Sequence, residues 1–302
     1  MTAAPPVPPS PLTREVSARL VLELSSPADL SLLVAAARTP GSTVEDQLVV
    51  THGDGPLPEG ALPVEVPVGP RERGERMHVL TAVPAGSVVV EYTGRLTPAT
   101  TDGAAAADGD AQSRDLLERF EANRPSRYCP SDELTAFAAS EFGTRAQHGD
   151  AELAERITAW VAERLVYTSG SSTAFDGAVQ TLLRGQGVCR DYAHLVVTLA
   201  RALELPARLT AVYAPGLSPM DFHAVAEIRV EDAPGAGSWQ VHDATHLAPR
   251  PSLWRISTGR DAADTAFLTS LHGGVALKEM EVRAVVTGGD LPADPTGPVL
   301  LA

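Results

Sequence analysis

A chain of 302 residues with 44% apolar side chains can bury one large core or two modest ones, which excludes disorder throughout. A formal charge of −14 without any Lys/Arg cluster excludes a surface built to neutralise phosphates, so neither nucleic acid nor an anionic membrane is an expected partner. No apolar run approaches the roughly 20 residues needed to cross a bilayer, and Met1–Pro11 lacks a basic-then-apolar leader, so the expected location is cytoplasmic.

Residues 1–12 carry five prolines and no periodicity, and are expected to form a disordered lead-in. From Arg14 the pattern changes: Val16, Ala18, Leu20, Leu22 and Leu24 alternate with more polar neighbours, the period of a half-buried strand. Further strand-like runs follow at Gln47–Thr51, Leu62–Val68, His78–Val83 and Ser87–Tyr92, with one Ala/Leu-rich stretch, Leu30–Ala37, expected to be helical. Residues 13–96 therefore read as a mainly β domain, and residues 97–112, low in bulky apolar side chains, as a linker.

The next section is helical. Ser131 with Asp132 and Glu133 marks a helix start, and Gly143 its stop. A longer helix follows Asp150, with Leu153, Ile157, Trp160, Val161 and Leu165 on one face and Trp160 expected in the core. A third is expected from Thr173, capped with Asp176, turning Val179, Leu182 and Leu183 inward and ending at Gly185. The fourth runs from after Val188 to about Leu203 and is apolar around most of its circumference, as a buried central helix must be. Strands are expected at Arg208–Tyr213, His223–Val230, Ser238–Asp243 and Glu279–Val286. They complete a domain over residues 113–286, followed by a flexible tail, 287–302.

Cys189 begins the buried helix in Gly185-Gln186-Gly187-Val188-Cys189-Arg190-Asp191. At a first turn, free backbone N–H groups and the positive end of the helix dipole stabilise a thiolate. Position alone leaves open whether this cysteine reacts or only fills space. An antiparallel hairpin of the two strands after the helix brings His223 and Asp243 to the same edge. There a carboxylate holds one imidazole nitrogen and leaves the other to face a thiol. Only two cysteines are present, Cys129 and Cys189, too few for a disulfide scaffold. His194, His242 and His246 fall outside any zinc-ligand spacing, so neither metal nor cofactor is expected. Cys129 is expected to be structural, Arg190 and Asp191 to form an ion pair or helix-start contact, and Arg260, Asp261 and Asp264 to lock a loop by a salt bridge.

Three blocks, Gly187-Val188-Cys189-Arg190-Asp191-Tyr192-Ala193-His194-Leu195, Phe222-His223-Ala224-Val225-Ala226-Glu227 and Trp239-Gln240-Val241-His242-Asp243-Ala244-Thr245, resemble the bacterial transglutaminase-like proteins, a branch of the papain-like thiol enzymes, in that family's order. The resemblance extends from about Tyr128 to the last strand. It implies an α+β fold with a papain-like core, here preceded by a mainly β domain, and a Cys-His-Asp triad at Cys189, His223 and Asp243. The family often has proline after the aspartate; Ala244 stands here and is expected to loosen that turn. Neither Gln186 nor Trp160 has the spacing of a second oxyanion donor, which stays unassigned. The expected activity is cleavage of a peptide or glutamine-type amide through a thioester at Cys189. Transamidation to an amine, acyl transfer from a thioester donor, and a non-catalytic binding module remain as alternatives.

Overall fold

A computed structural model describes residues 6–69, 73–98, 111–233 and 236–301. The amino-terminal part consists of β1 (Thr13–Leu24), β2 (Ala28–Leu32), β3 (Thr43–His52), β4 (Gly55–Pro56), β5 (Val64–Val68), β6 (Glu75–Val83) and β7 (Gly86–Thr97). Then come α1 (Ala111–Glu121), a 3₁₀ turn at Ser131–Leu134, α2 (Thr135–Phe142), α3 (Asp150–Arg164), β8 (Val166–Tyr167), α4 (Ala178–Arg184), β9 (Gln186–Gly187) and α5 (Cys189–Ala202). The chain continues through β10 (Ala207–Tyr213), β11 (Phe222–Ala233), β12 (Ala236–His242), β13 (Trp254–Gly259), α6 (Ala262–Thr265), β14 (Leu268–Leu271) and β15 (Val275–Thr287).

Strict alternation in β1 buries Val16, Ala18, Leu20, Leu22 and Leu24 on one face, as the period of two requires. That strand lies inside a sheet of order β15-β1-β7-β3-β4, which packs on a second sheet of order β14-β2-β6-β5 around a shared core of Leu20, Leu22, Leu30, Leu32, Leu80, Val88 and Val90. A third sheet, β12-β11-β10-β13, is antiparallel throughout. One face of it carries α5, whose Leu195, Val196, Val197 and Leu199 are fully buried with Ala226, Ile228 and Val230. Tyr213, Trp254 and Ile256, from β10 and β13, join the core of the amino-terminal sheets instead, so the two parts share apolar packing.

Several expectations differ from this structure. Leu30–Ala37 is not helical. Leu30 pairs with Leu80 in β6, and residues 33–37 run on as an extended, wholly buried segment whose Leu33 and Ala37 amides bond to Phe267 and Arg255 carbonyls. The strand pairing and the amide bonds to Phe267 and Arg255 satisfy the backbone of this segment without a helix. The third helix begins at Ala178, because Asp176 spends its carboxylate on the Thr173 amide in the preceding turn and on Arg184 at the helix end; Leu183 is exposed. β13 and β14 were not expected, and β15 pairs along its whole length with β1, so the carboxy-terminal segment closes the amino-terminal sheet rather than the helical domain. In the expected linker, Thr97 ends β7 and Ala111 opens α1, while residues 99–110 lie outside the described residues, as do residues 1–5 of the expected lead-in. Residues 6–12 and 288–301 hold each other: Val7 donates to the Pro298 carbonyl, Leu300 to that of Val7, and Val299 is fully buried. Among the described residues no helix is long and apolar enough to cross a membrane.

Candidate active site

The thiol is positioned by a short parallel pairing of β8 with β9, which aligns Tyr167 with Gly187, two residues ahead of Cys189. Gly185 ends α4 at φ 67°, in the left-handed region that suits glycine. Gly187 has no room for a side chain, since a Cβ there would lie 2.6 Å from that of Asp191. Asp191 folds back to accept the Val188 amide at 2.8 Å and pairs with Arg190 at 3.1 Å, fixing the first turn of α5 as a capping carboxylate does. Cys189 thus opens a 14-residue helix, half-buried, with the free N–H groups of the helix start around it.

His223, near the start of β11, and Asp243, just past β12, are both buried. The hairpin register pairs Ala226 with His242, and His223 Nε2 donates to Asp243 Oδ2 at 2.7 Å. The other carboxylate oxygen accepts the Thr245 amide at 2.9 Å and its hydroxyl at 2.7 Å, so the turn at Ala244 is held by Thr245. Burial would lower the proton affinity of the His223 ring, but the Asp243 charge and hydrogen bond, together with the Cys189 sulfur, push its pKa up to about 10. For Asp243, burial acts upward and is outweighed by His223 and Thr245, which hold it below the usual carboxylate value. Among the described residues His223 Nδ1 has no hydrogen-bond partner of good geometry, and the sulfur acts on the ring from close by. The structure thus brings Cys189, His223 and Asp243 together.

Sequence reasoning missed Tyr167. Its side chain lies beside Cys189, and burial together with the Cys189 sulfur pushes its pKa up to about 12. The two-residue β8–β9 pairing that puts it there has no signature in the sequence. Trp160 instead packs edge-on against Phe137 and Phe142, and Gln186 is exposed in β9.

The remaining candidates serve the scaffold. His194 Nε2 accepts the Ala262 amide at 3.1 Å, and its ring stacks on Tyr128; burial pushes its pKa down to about 4, so it is neutral. His242 meets Thr158 on α3 and is likewise held neutral by burial, its pKa about 3. Cys129 is fully buried, its thiol pushed up to about 12, and donates to the His194 carbonyl at 3.6 Å. Arg260 grips Asp264 at 2.9 and 3.1 Å, while Asp261 caps α6 and accepts the Tyr128 amide. Beside the thiol opens a cavity of about 430 Å³ with Cys189 and His223 in its wall.

Residues 138–244 match the family model of the transglutaminase-like superfamily. The fold is similar to the crystal structure of a "Putative Cysteine Protease" from Cytophaga hutchinsonii, with 29% identity, 96% of this chain and 94% of that one covered, and a TM-score of 0.76. An uncharacterised protein of Mycobacterium leprae (strain TN) is 25% identical over 186 residues, covering 59% of this chain and 64% of that relative's length.

Proposed function

We propose that this chain, residues 138–244 of which match the model of the transglutaminase-like superfamily, is a thiol hydrolase of peptide or glutamine-type amides, with Cys189 as nucleophile, His223 as acid and base, and Asp243 as the group that orients and charges the imidazole. The observation that carries this reading is the buried His223–Asp243 pair at 2.7 Å, whose free ring nitrogen is left to the sulfur at a helix start. The Cys189 sulfur forms a bond to the amide carbon, and the carbonyl electron pair moves onto oxygen. The backbone N–H of Cys189 and the Tyr167 hydroxyl beside it stabilise that oxyanion. As the C–N bond breaks, the proton on His223 Nδ1 goes to the departing amine, leaving a thioester. Water then attacks the thioester, giving its proton to His223, and the sulfur leaves as thiolate.

Transfer to an amine in place of water would require the site to exclude water. Cys189 is half-exposed, which favours hydrolysis. The two unpaired thiols suit a reducing compartment such as the cytoplasm. Turnover of a library of peptide and glutamine amides tests the reading: Cys189→Ala retains the wild-type melting temperature and loses all hydrolysis and transamidation. A Cys189→Ala variant that keeps its turnover would remove Cys189 as the nucleophile, and a wild type with no turnover at all would mean that the cleft binds a partner without chemistry.

A further inference from the structure

The core between the two amino-terminal sheets reaches the cleft on one side. Ala211, Phe222, Phe267, Leu268 and Met280 pack against that core yet remain only partly buried, and all five line the 430 Å³ cavity that has Cys189 and His223 in its wall. The rings of Phe222 and Phe267 stack at 5.3 Å across it. Leu33 closes it from the buried segment after β2, and Met280 from β15, so part of the wall belongs to the amino-terminal sheets. Its charged lining residues are Arg190, Asp221 and the buried His223, which Asp243 holds. Arg190 bonds Ser172, Thr173 and Asp191 through Nη2 alone, and Asp221 is an exposed residue that accepts the Phe222 amide. The cavity thus offers apolar contact to whatever is attached to the amide under attack, and the one buried charge in its wall, the His223 ring, is already paired with Asp243.

We infer that this cavity is a specificity pocket for one bulky apolar side chain, leucine-, methionine- or phenylalanine-like, on the acyl part of a peptide substrate, and that the amino-terminal β domain exists in this chain to build its far wall. The inference rests on the thiol-hydrolase reading of the same site. The acyl part is the one to be held there. It remains covalently joined to Cys189 through the thioester and must keep its place until water arrives, whereas the amine has to leave after the first step, and an enclosed apolar pocket would retain it. Filling the cavity removes from water both the side chain and the uncovered faces of Phe267 and Met280, so the preference for a large apolar group over alanine should be about ten- to a hundredfold. An acidic or basic side chain at the same position finds no partner deep in the pocket and is selected against more strongly.

Peptidyl chloromethyl ketones that differ only in the side chain next to the reactive carbonyl, or one residue before it, measure this as capture rates of Cys189 read by intact mass. Leu, Met and Phe probes at one of these positions should react about ten- to a hundredfold faster than Ala, Asp or Lys probes. Met280→Trp, which fills the pocket from its β15 side, should slow the Leu and Phe probes at least tenfold more than the Ala probe. Equal rates for all side chains at both positions, or a Met280→Trp effect equal for every probe, would overturn the pocket and leave the enzyme reading standing. If no probe is captured while Cys189 still reacts with iodoacetamide, the enzyme reading fails and takes the pocket with it. A side-chain preference that appears only when the apolar group is placed on the leaving amine of a cleavable substrate would assign the cavity to the amine and also overturn the inference.

Discussion

Replacing Asp243 by asparagine changes almost no volume and isolates the charge. The amide oxygen of the new side chain can still accept both Thr245 bonds, so the turn should persist. Its NH₂ group, however, would donate to His223 Nε2 where the carboxylate accepted. That reverses the ring: Nε2 becomes the acceptor, and the single proton of a neutral imidazole is forced onto Nδ1, the nitrogen that must take the thiol's proton. Moving the ring from its ordinary 6.5 to about 10 amounts to about 5 kcal/mol of preference for the charged form, of which Asp243 supplies the largest favourable part. Without it, burial prevails and the ring is neutral at pH 7. Hydrolysis should fall about 10³- to 10⁴-fold. The assay is the rate of carboxamidomethylation of Cys189 between pH 4 and 9. The wild type should keep a rapid rate at pH 5, where an imidazolium faces the sulfur, and Asp243→Asn should react there only as slowly as an ordinary thiol. Stability carries the same sign. A ring with a raised pKa contributes stability that is whole below about pH 6.5 and lost as pH climbs toward 10, so the urea midpoint of the wild type should drop over that window by more than that of the variant. Identical alkylation profiles for the two proteins would refute the reasoning.

Two other substitutions separate chemistry from architecture. Tyr167→Phe removes the hydroxyl beside the Cys189 amide. It should lower kcat about 10²- to 10³-fold while leaving KM and the melting temperature near wild type, as steady-state kinetics and calorimetry would report. Glu227→Gln acts away from the site: the carboxylate accepts Arg208 at 2.9 Å, Arg255 at 2.7 and 2.9 Å and Thr210 at 2.7 Å, all buried. Losing its charge leaves the buried Arg255 guanidinium without a carboxylate, while Arg208 keeps Glu118, and urea unfolding should show a loss of about 3–5 kcal/mol.

What the sequence disclosed followed the range of the signal. β1 was legible because its alternation is uninterrupted for twelve residues, and α5 because it is apolar on nearly every side. The His223–Asp243 edge was legible because a hairpin joins residues close in sequence. Leu30–Ala37 was misread since a short Ala/Leu run fits a buried strand as well as a helix, and only the pairing with Leu80 and the Phe267 and Arg255 carbonyls decides between them. Tyr167, β13 and the partnership of β1 with β15 depend on contacts between distant segments that leave no local period. The cavity wall is the clearest case: Leu33, Phe267 and Met280 look like unrelated apolar residues until the fold gathers them beside Cys189.

The same argument assigns work to the Gly/Pro-rich segment after β15, which composition alone marks as a tail. Val299 is fully buried, its carbonyl accepts the Val241 amide at 2.8 Å, and Asp294 accepts the Arg250 amide at 3.1 Å and its guanidinium at 3.0 Å. Val241 lies two residues before Asp243 on β12, so this segment braces the strand that delivers the carboxylate to His223. Ending the chain after Thr287 uncovers Val241 and Leu253 in their small cluster and leaves the Val241 amide without its acceptor. One buried valine and its hydrogen bonds place the loss at about 3 kcal/mol. Because the loss falls on β12, the shortened protein should also alkylate more slowly at pH 5, with its α5 amides still protected from hydrogen exchange. An unchanged urea midpoint, or a loss spread evenly over the exchange of every strand, would remove the segment from the support of the site.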